Sequence, residues 1–229
     1  MFTFYNQRTA QQINGREGET ATLLSTGLFT LSLRGFGFAP RHLNRWAAFF
    51  DPKQMSPQTQ YKIRSLTAAD QSLLWEMLYL SLFVPEGNAP FERSILEQPD
   101  ISKYVRDWGR ADDYGFVAVG ENNQPLGAIW LRLLANEEKG YGYVDDFTPE
   151  LGMAVFPEYR GQGIGTSLLT HLMETATASY EQISLSVARE NPALRLYQRF
   201  GFEVVAEDGN SLTMKKRVND TDSPTIQWT

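Results

Sequence analysis

The chain contains no cysteine. Without thiols it can form no disulfide, no thiolate metal site and no cysteine nucleophile, a composition that fits a reducing cytoplasm. Histidine is also scarce. The two histidines, His42 and His171, do not form a His-x-x-x-His pair, so we expect no metal site and no catalytic histidine.

Long apolar runs are missing too. No stretch approaches the roughly 18 consecutive apolar residues that a membrane-spanning helix needs. The first residues also lack the basic and apolar regions of a secretion signal. With 42% hydrophobic and 21% charged residues, the composition is that of an ordinary globular protein. We therefore expect a soluble, cytoplasmic protein with no membrane partner.

The net charge of −6 is unevenly distributed along the chain. Residues 1–60 contain six Lys/Arg and three Asp/Glu, whereas residues 61–229 contain fifteen and twenty-four. An acidic body argues against nucleic acid as a partner, because a nucleic-acid surface needs clustered positive charge. It mildly favours a cationic partner such as an amine, although acidic surfaces often serve only solubility.

The sequence divides into three segments. Residues 1–54 show no sustained period of 2 or 3.6 and predict only a short helix at 41–50. We expect them to be an N-terminal extension of unknown role, either a dispensable segment upstream of Met55 or a docking arm or dimer element. Residues 55–217 form the predicted catalytic domain, and residues 218–229 form a polar tail.

Within the catalytic segment, periodicity and turn residues predict alternating strands and helices. This order predicts an α/β protein with a mixed sheet and helices on both faces. The predicted elements are a strand at 61–66, a helix at 67–82, a helical stretch at 91–107 interrupted near Pro99, a hairpin of strands 115–119 and 125–134, a strand at 150–156, a helix at 161–178, a strand at 182–188, a helix at 191–200, and strands near 202–206 and 211–216.

A glycine-rich segment links the strand at 150–156 to the following helix. Its glycines are Gly161, Gly163 and Gly165, and Arg160 precedes them. A helix start offers unpaired amides and the positive end of the helix dipole, glycine lets the backbone approach closely, and arginine adds a fixed charge, so the segment predicts a phosphate site. The spacing is neither that of a P-loop, which needs a following lysine, nor that of the dinucleotide fingerprint.

This segment resembles the Arg/Gln-x-x-Gly-x-Gly/Ala pyrophosphate loop of the GNAT superfamily of acyl-CoA N-acyltransferases. Downstream, residues 191–202 resemble the next motif of that superfamily, Asn-x-x-Ala-x-x-x-Tyr-x-x-x-Gly-Phe, with Asn191, Tyr197 and Gly201, except that the alanine comes one place early at Ala193. Packing and helix capping alone could explain Asn191 and Tyr197. Because both motifs occur in the family's order, the chain from about 61 to 217 is identified as a member.

The resemblance implies a mostly antiparallel sheet that splays at the cofactor strand, with acetyl-CoA as the only cofactor and no metal. It implies cofactor contacts from one set of residues: Ala154, Val155, Arg160, Gly161, Gln162, Gly163, Ile164, Gly165, Thr166, Asn191 and Tyr197. Tyr197 would also protonate the departing sulfur. An amine acceptor needs a base, for which Glu150 is the first choice and Asp145 and Asp146 are alternatives. Glu150 could equally be a strand-end carboxylate turned to solvent.

The predicted function is acetyl transfer from acetyl-CoA to a primary amine of a small molecule or peptide, by direct attack in a ternary complex. By the same resemblance, the acceptor pocket would use the linker 83–91 and the loop 139–149. Two alternatives remain: a non-catalytic acyl-CoA-binding sensor, with residues 1–54 as its output element, and an interaction module with a degenerate site. The intact glycines and Tyr197 disfavour the last.

Overall fold

A computed structural model describes residues 60–176 and 179–218 of the chain. The predicted helix at 41–50, the proposed boundary at Met55 and residues 219–229 lie outside these ranges. In the described part of the chain, no helix is long and apolar enough to cross a membrane. The cytoplasmic location stays a prediction.

Seven strands form one sheet, in the order β1-β2-β3-β4-β5-β7-β6. All neighbouring pairs are antiparallel except β4 and β5, so the mixed sheet predicted from the sequence is confirmed. The strands are β1 (Lys62–Ser65), β2 (Tyr114–Val119), β3 (Pro125–Arg132), β4 (Glu150–Val155), β5 (Gln182–Ala188), β6 (Glu203–Asp208) and β7 (Ser211–Arg217).

Four α-helices accompany the sheet in the described residues: α1 (Gln71–Ser81), α2 (Pro99–Ser102), α3 (Ile164–Ala176) and α4 (Leu194–Arg199). Thr67 and Asp70 form a capping box around the single 3-10 turn that leads into α1. Pro99 begins α2 rather than interrupting a longer helix, because a proline has no amide to donate and is accommodated in the first turn.

Among the described strands, the parallel pair β4 and β5 has the fewest backbone pairings. β4 and β5 share a single register pair, Glu150 with Ser184, fixed by a 3.0 Å hydrogen bond from the Ser184 amide to the Pro149 carbonyl. Beyond it the two strands separate, so the backbone edge of β4 from Leu151 to Val155 faces a gap. The splay implied by the family resemblance is therefore present.

The two faces of β4 carry different side chains, because successive residues of a strand point to opposite sides. Met153 and Val155 point toward the N-terminus of α3, where Gly165 lies beside them. Glu150 and Gly152 point to the opposite face, toward Tyr104 in the turn that follows α2. Both faces are covered by buried apolar side chains, including Leu78 of α1 and Leu168 of α3.

Candidate active site

The glycine-rich segment forms a cradle at the start of α3. Gly161 and Gly163 have φ angles of 75° and 82°, in the left-handed region that favours glycine, and a Cβ added to either would meet no atom within 4 Å. The predicted helix from 161 therefore begins three residues later, at Ile164, since positive φ angles cannot continue a right-handed helix. Arg160 donates a 3.0 Å hydrogen bond from Nε to the Val155 carbonyl, which ties the cradle to the end of β4.

The backbone amides of β4 alternate between its two edges. The Phe156 amide bonds to the Leu126 carbonyl on the β3 side, and β3 and β4 pair without a shift, so the Ala154 amide also points to β3. The amides of Met153 and Val155 point into the gap beside β5. Of the two amides predicted to bind the cofactor arm, that of Val155 faces the gap and that of Ala154 does not, because strand register decides which edge an amide occupies.

A cavity of about 450 Å³ lies between the end of β4, the cradle and α4. Val155, Arg160, Gly161, Gly163, Ile164, Gly165 and Thr166 line it, as do residues that sequence reasoning missed: Met153, Tyr159, Pro192, Ala193, Leu196 and Arg199. Its polar end combines the first-turn amides of α3, which have no intrahelical partners, with the guanidinium groups of Arg160 and Arg199. Such an end favours phosphate groups.

Four of the predicted cofactor residues do not line this cavity: Ala154, Gln162, Asn191 and Tyr197. Gln162 is exposed and donates to the Glu158 carbonyl at 3.1 Å. Asn191 is buried, and its Oδ1 accepts a 2.9 Å hydrogen bond from the Ala193 amide. It is not the N-cap that its position before Pro192 suggested, because α4 begins at Leu194 and its N-cap is Ala193. Tyr197 is fully buried against Phe202, and burial raises the pKa of its phenol. It follows the cavity-lining Leu196 in α4.

Glu150 is buried rather than turned to solvent, with 2% of its surface exposed. Its Oε2 accepts hydrogen bonds from the Tyr104 hydroxyl at 3.0 Å and the Gly142 amide at 2.7 Å. Oε1 accepts no hydrogen bond of ordinary geometry from the described residues. Burial raises the pKa of Glu150 to about 7, although the Gly142 amide, Tyr104, Lys103 and the Gly140 amide each favour its ionised form. A carboxyl group with this pKa is suited to accept a proton near neutral pH.

The two alternative bases, Asp145 and Asp146, both accept hydrogen bonds within their own loop. Asp145 accepts hydrogen bonds from Thr148, Phe147 and Gln182. Burial acts to raise the pKa of Asp145, but the hydrogen bonds from Thr148 and Phe147 outweigh it and leave that pKa lowered. Asp146 accepts a 2.9 Å hydrogen bond from the Tyr143 hydroxyl on the exposed side of the loop. Asp145 is therefore a turn-forming carboxylate, and a lowered pKa makes it a weak base.

The sequence model of the GNAT acetyltransferase family matches residues 75–202, more than half of the chain. The chain belongs to the GNAT acetyltransferase family. The resemblance on the cradle and on residues 191–202 is thus confirmed, and the expectation of an acyltransferase is confirmed at the level of the family.

Two relatives and one solved structure are similar to parts of this chain. The cysteine-rich protein 2-binding protein of Mus musculus is 41% identical over 51 residues, which are 22% of this chain and only 6% of that protein. An uncharacterised N-acetyltransferase of Methanocaldococcus jannaschii is 25% identical over 166 residues, 69% of this chain and 67% of that one. The structure of the PaiA N-acetyltransferase of Thermoplasma acidophilum with coenzyme A has a TM-score of 0.51 at 23% identity, covering 69% and 99% of the two chains, and shows the shared fold.

The glycines of the loop around Glu150 are a further part of this GNAT site that sequence reasoning missed. A Cβ at Gly140 would lie 2.1 Å from Oε1 of Glu150, and one at Gly142 would lie 2.9 Å from Oε2. Only glycine can therefore bring this loop onto the carboxylate. The spacing Gly-Tyr-Gly at 140–142 was the available signal, but an isolated pair of loop glycines does not indicate which side chain it will touch.

Proposed function

We propose that the protein is an N-acetyltransferase that transfers an acetyl group from acetyl-CoA to a primary amine by direct attack in a ternary complex. One observation carries this proposal: the gap between β4 and β5 has a phosphate cradle at its open end and a buried carboxylate, Glu150, at its closed end on the opposite face. Acetyl-CoA can therefore enter the gap from the side of the cradle, and the amine can approach from the side of Glu150.

The residues of the cradle fit the diphosphate of coenzyme A. The open space above Gly161 and Gly163 lets a phosphate approach the backbone, and Arg160 and Arg199 supply positive charge. The Val155 and Met153 amides face the gap, where they would hold the pantetheine arm or polarise the thioester carbonyl. The PaiA N-acetyltransferase, which shares this fold, forms a complex with coenzyme A, and this supports coenzyme A as the ligand. Acetyl-CoA supplies the activated acyl group when bound.

Glu150 would act as the general base. Its Oε2 is held by Tyr104 and Gly142, which leaves Oε1 to accept the proton of the attacking amine. As the new C–N bond forms and the C–S bond breaks, Tyr197 would give its phenolic proton to the departing sulfur. Burial keeps that phenol protonated, so it is available as a donor.

The experiment is a screen for thiol release from acetyl-CoA with a panel of primary amines. The proposal predicts thiol release that depends on an added amine, with one acetyl group gained by the amine in mass spectrometry. Coenzyme A binding without amine-dependent turnover across the panel would instead identify a non-catalytic acyl-CoA sensor. Calorimetry with coenzyme A, run in parallel, separates that result from a protein that does not bind the donor.

A further inference from the structure

Two buried side-chain atoms in the described residues make no hydrogen bond: Nε1 of Trp130 and Oε1 of Glu150. Buried polar atoms almost always have partners, because an unmade hydrogen bond in the interior costs free energy. One of these atoms is a donor and the other is an acceptor. An unpartnered donor and an unpartnered acceptor in one protein interior suggest that a ligand supplies the missing hydrogen bonds.

Both atoms lie on the same face of the sheet. Trp130 pairs across β3 and β4 with Gly152, and cross-strand partners present their side chains on one face. The indole fills the space beside Gly152, where an added Cβ would lie 2.3 Å from Nε1. Glu150 precedes Gly152 by two residues on the same strand, a rise of about 7 Å. The indole N–H of Trp130 on β3 lies over Gly152, so the donor and the Glu150 carboxylate occupy neighbouring positions along β4.

The rest of the surroundings leaves these two atoms available. Arg132 lies on the same face, but it is committed to Asp113 and to the carbonyls of Lys103 and Arg106. The Tyr104 hydroxyl and the Gly142 amide both use Oε2 of Glu150. The Gly140 amide lies close enough to the carboxylate to favour its ionised form, but no described residue makes a hydrogen bond of ordinary geometry to Oε1 or to the indole N–H.

We propose that Trp130 Nε1 and Glu150 Oε1 together recognise an α-amino carbonyl, with the amine on the carboxylate and the carbonyl oxygen on the indole N–H. This inference rests on the proposed acetyltransferase function and specifies its acceptor class. In an α-amino carbonyl, two carbons separate the nitrogen from the oxygen. With a hydrogen bond of about 2.9 Å at each end, such a group is long enough to bridge the positions of Glu150 and Gly152 on β4. The acceptor is then an amino-acid amide or the first residue of a peptide.

An amine without a nearby oxygen would satisfy only half of the pair. A polyamine or an alkylamine would bind Oε1 and leave the indole N–H unpaired, and a site with an unpaired buried donor discriminates against such a ligand. The acceptor binds beneath the loop that contains Gly140 and Gly142, because this loop covers Glu150. No side chain of these two glycines blocks that position.

The test is the indole ¹H–¹⁵N signal of Trp130 in ¹⁵N-labelled full-length protein saturated with coenzyme A, which permits no acetyl transfer. Trp130→Phe assigns the signal, and Trp75→Phe on α1 is the control that leaves it in place. Glycinamide should shift the Trp130 signal saturably, whereas ethylamine, which lacks only the carboxamide, should not. Comparison with triglycinamide distinguishes a free amino-acid amide from a peptide, and saturable binding of either one supports the proposal.

Three results would overturn the assignment. The first is a Trp130 signal that does not shift with any carbonyl amine, and the second is a signal that shifts equally with ethylamine. The third is a full shift on addition of coenzyme A alone, which would assign the indole to the acyl-donor site. Kinetics add a second readout. Trp130→Phe should lower kcat/KM for glycinamide by on the order of three- to tenfold more than kcat/KM for ethylamine, which is the effect of one neutral hydrogen bond. Coenzyme A affinity, measured separately, shows whether the donor site itself is intact.

Discussion

At the scale of single residues, the surroundings of Glu150 make its role testable through pH. A base acts only when deprotonated, and its pKa is about 7, so kcat should rise through neutral pH and then level off. Glu150→Gln should lower kcat on the order of 10²-fold and remove this limb. Asp146→Asn, which changes an exposed carboxylate of the same loop, should leave kcat within threefold. A Gln variant that retains the wild-type pH profile would show that another group is the base.

The same carboxyl group should make folding stability depend on pH. Its pKa is raised from an ordinary 4.5 to about 7, so the folded protein binds this proton more tightly than the unfolded chain. The stabilisation is fully present below pH 4.5 and is lost as pH rises through about 7, a change of about 3 kcal/mol. Glu150→Gln should therefore flatten the free energy of unfolding between pH 5 and 8, measured by urea denaturation. Glu121→Gln, an exposed control in the β2–β3 turn, should leave that slope in place.

A substitution at Tyr197 can distinguish a role as general acid from a role in packing alone. Tyr197→Phe keeps the ring that packs on Phe202 and removes only the hydroxyl. If the phenol protonates the leaving sulfur, kcat should fall on the order of 10²-fold, with coenzyme A affinity nearly unchanged. Tyr180→Phe, whose hydroxyl donates to the Asp112 carbonyl away from the site, is the matched control. A kcat within threefold of wild type, with chemistry rate-limiting, would remove the acid role from Tyr197.

At the scale of elements, the cradle and α3 should bind coenzyme A as one unit. Gly163→Asp places a carboxylate where the first-turn amides face the cavity, so the affinity for coenzyme A should fall on the order of 30-fold or more, as measured by calorimetry. Gly209→Asp is matched in its positive φ of 57° and in its open surroundings, but it lies in the β6–β7 turn. Equal affinity in the two folded variants would place the diphosphate elsewhere.

Element boundaries show what the sequence alone could predict. β5 was predicted at 182–188 and occupies Gln182–Ala188, because its apolar residues alternate with polar ones and Asn191-Pro192 follow shortly after it. The start of α3 was predicted three residues early, because Gly161 and Gly163 adopt positive φ angles that no periodicity reports. The direction of the Ala154 amide depends on how β4 registers against β3, which is a long-range pairing.

The sequence predicts the parts of the site that one local motif forms. It does not predict the parts in which residues from distant segments come into contact. The cradle residues follow one another in sequence, so a motif could identify them. Burial raises the pKa of Glu150, and hydrogen bonds from Tyr104, Gly140 and Gly142, which come from two other segments, act against that rise. Trp130 lies in an apolar strand, and no local pattern in the sequence indicates that its indole lies over Gly152.

At the scale of the whole molecule, the proposed domain boundary leads to a prediction about truncation. The seven strands of the described residues lie between Lys62 and Arg217, and the family match spans residues 75–202, so we expect the sheet and the site to form without residues 1–54. The polar tail was expected from 218, but Val218 is buried and its amide donates to the Glu181 carbonyl, so the domain extends through Val218.

A chain of residues 55–218 should therefore fold and bind coenzyme A with an affinity within about twofold of the full-length protein. The physical reason is that the apolar faces of the sheet are already covered by α1 and α3, whose buried residues include Leu78 and Leu168. Thermal unfolding and calorimetry on both chains provide the comparison, and a chain ending at Arg217 tests the added role of Val218. A 55–218 chain that unfolds, or that loses the donor site, would make residues 1–54 part of the catalytic unit rather than an extension of it.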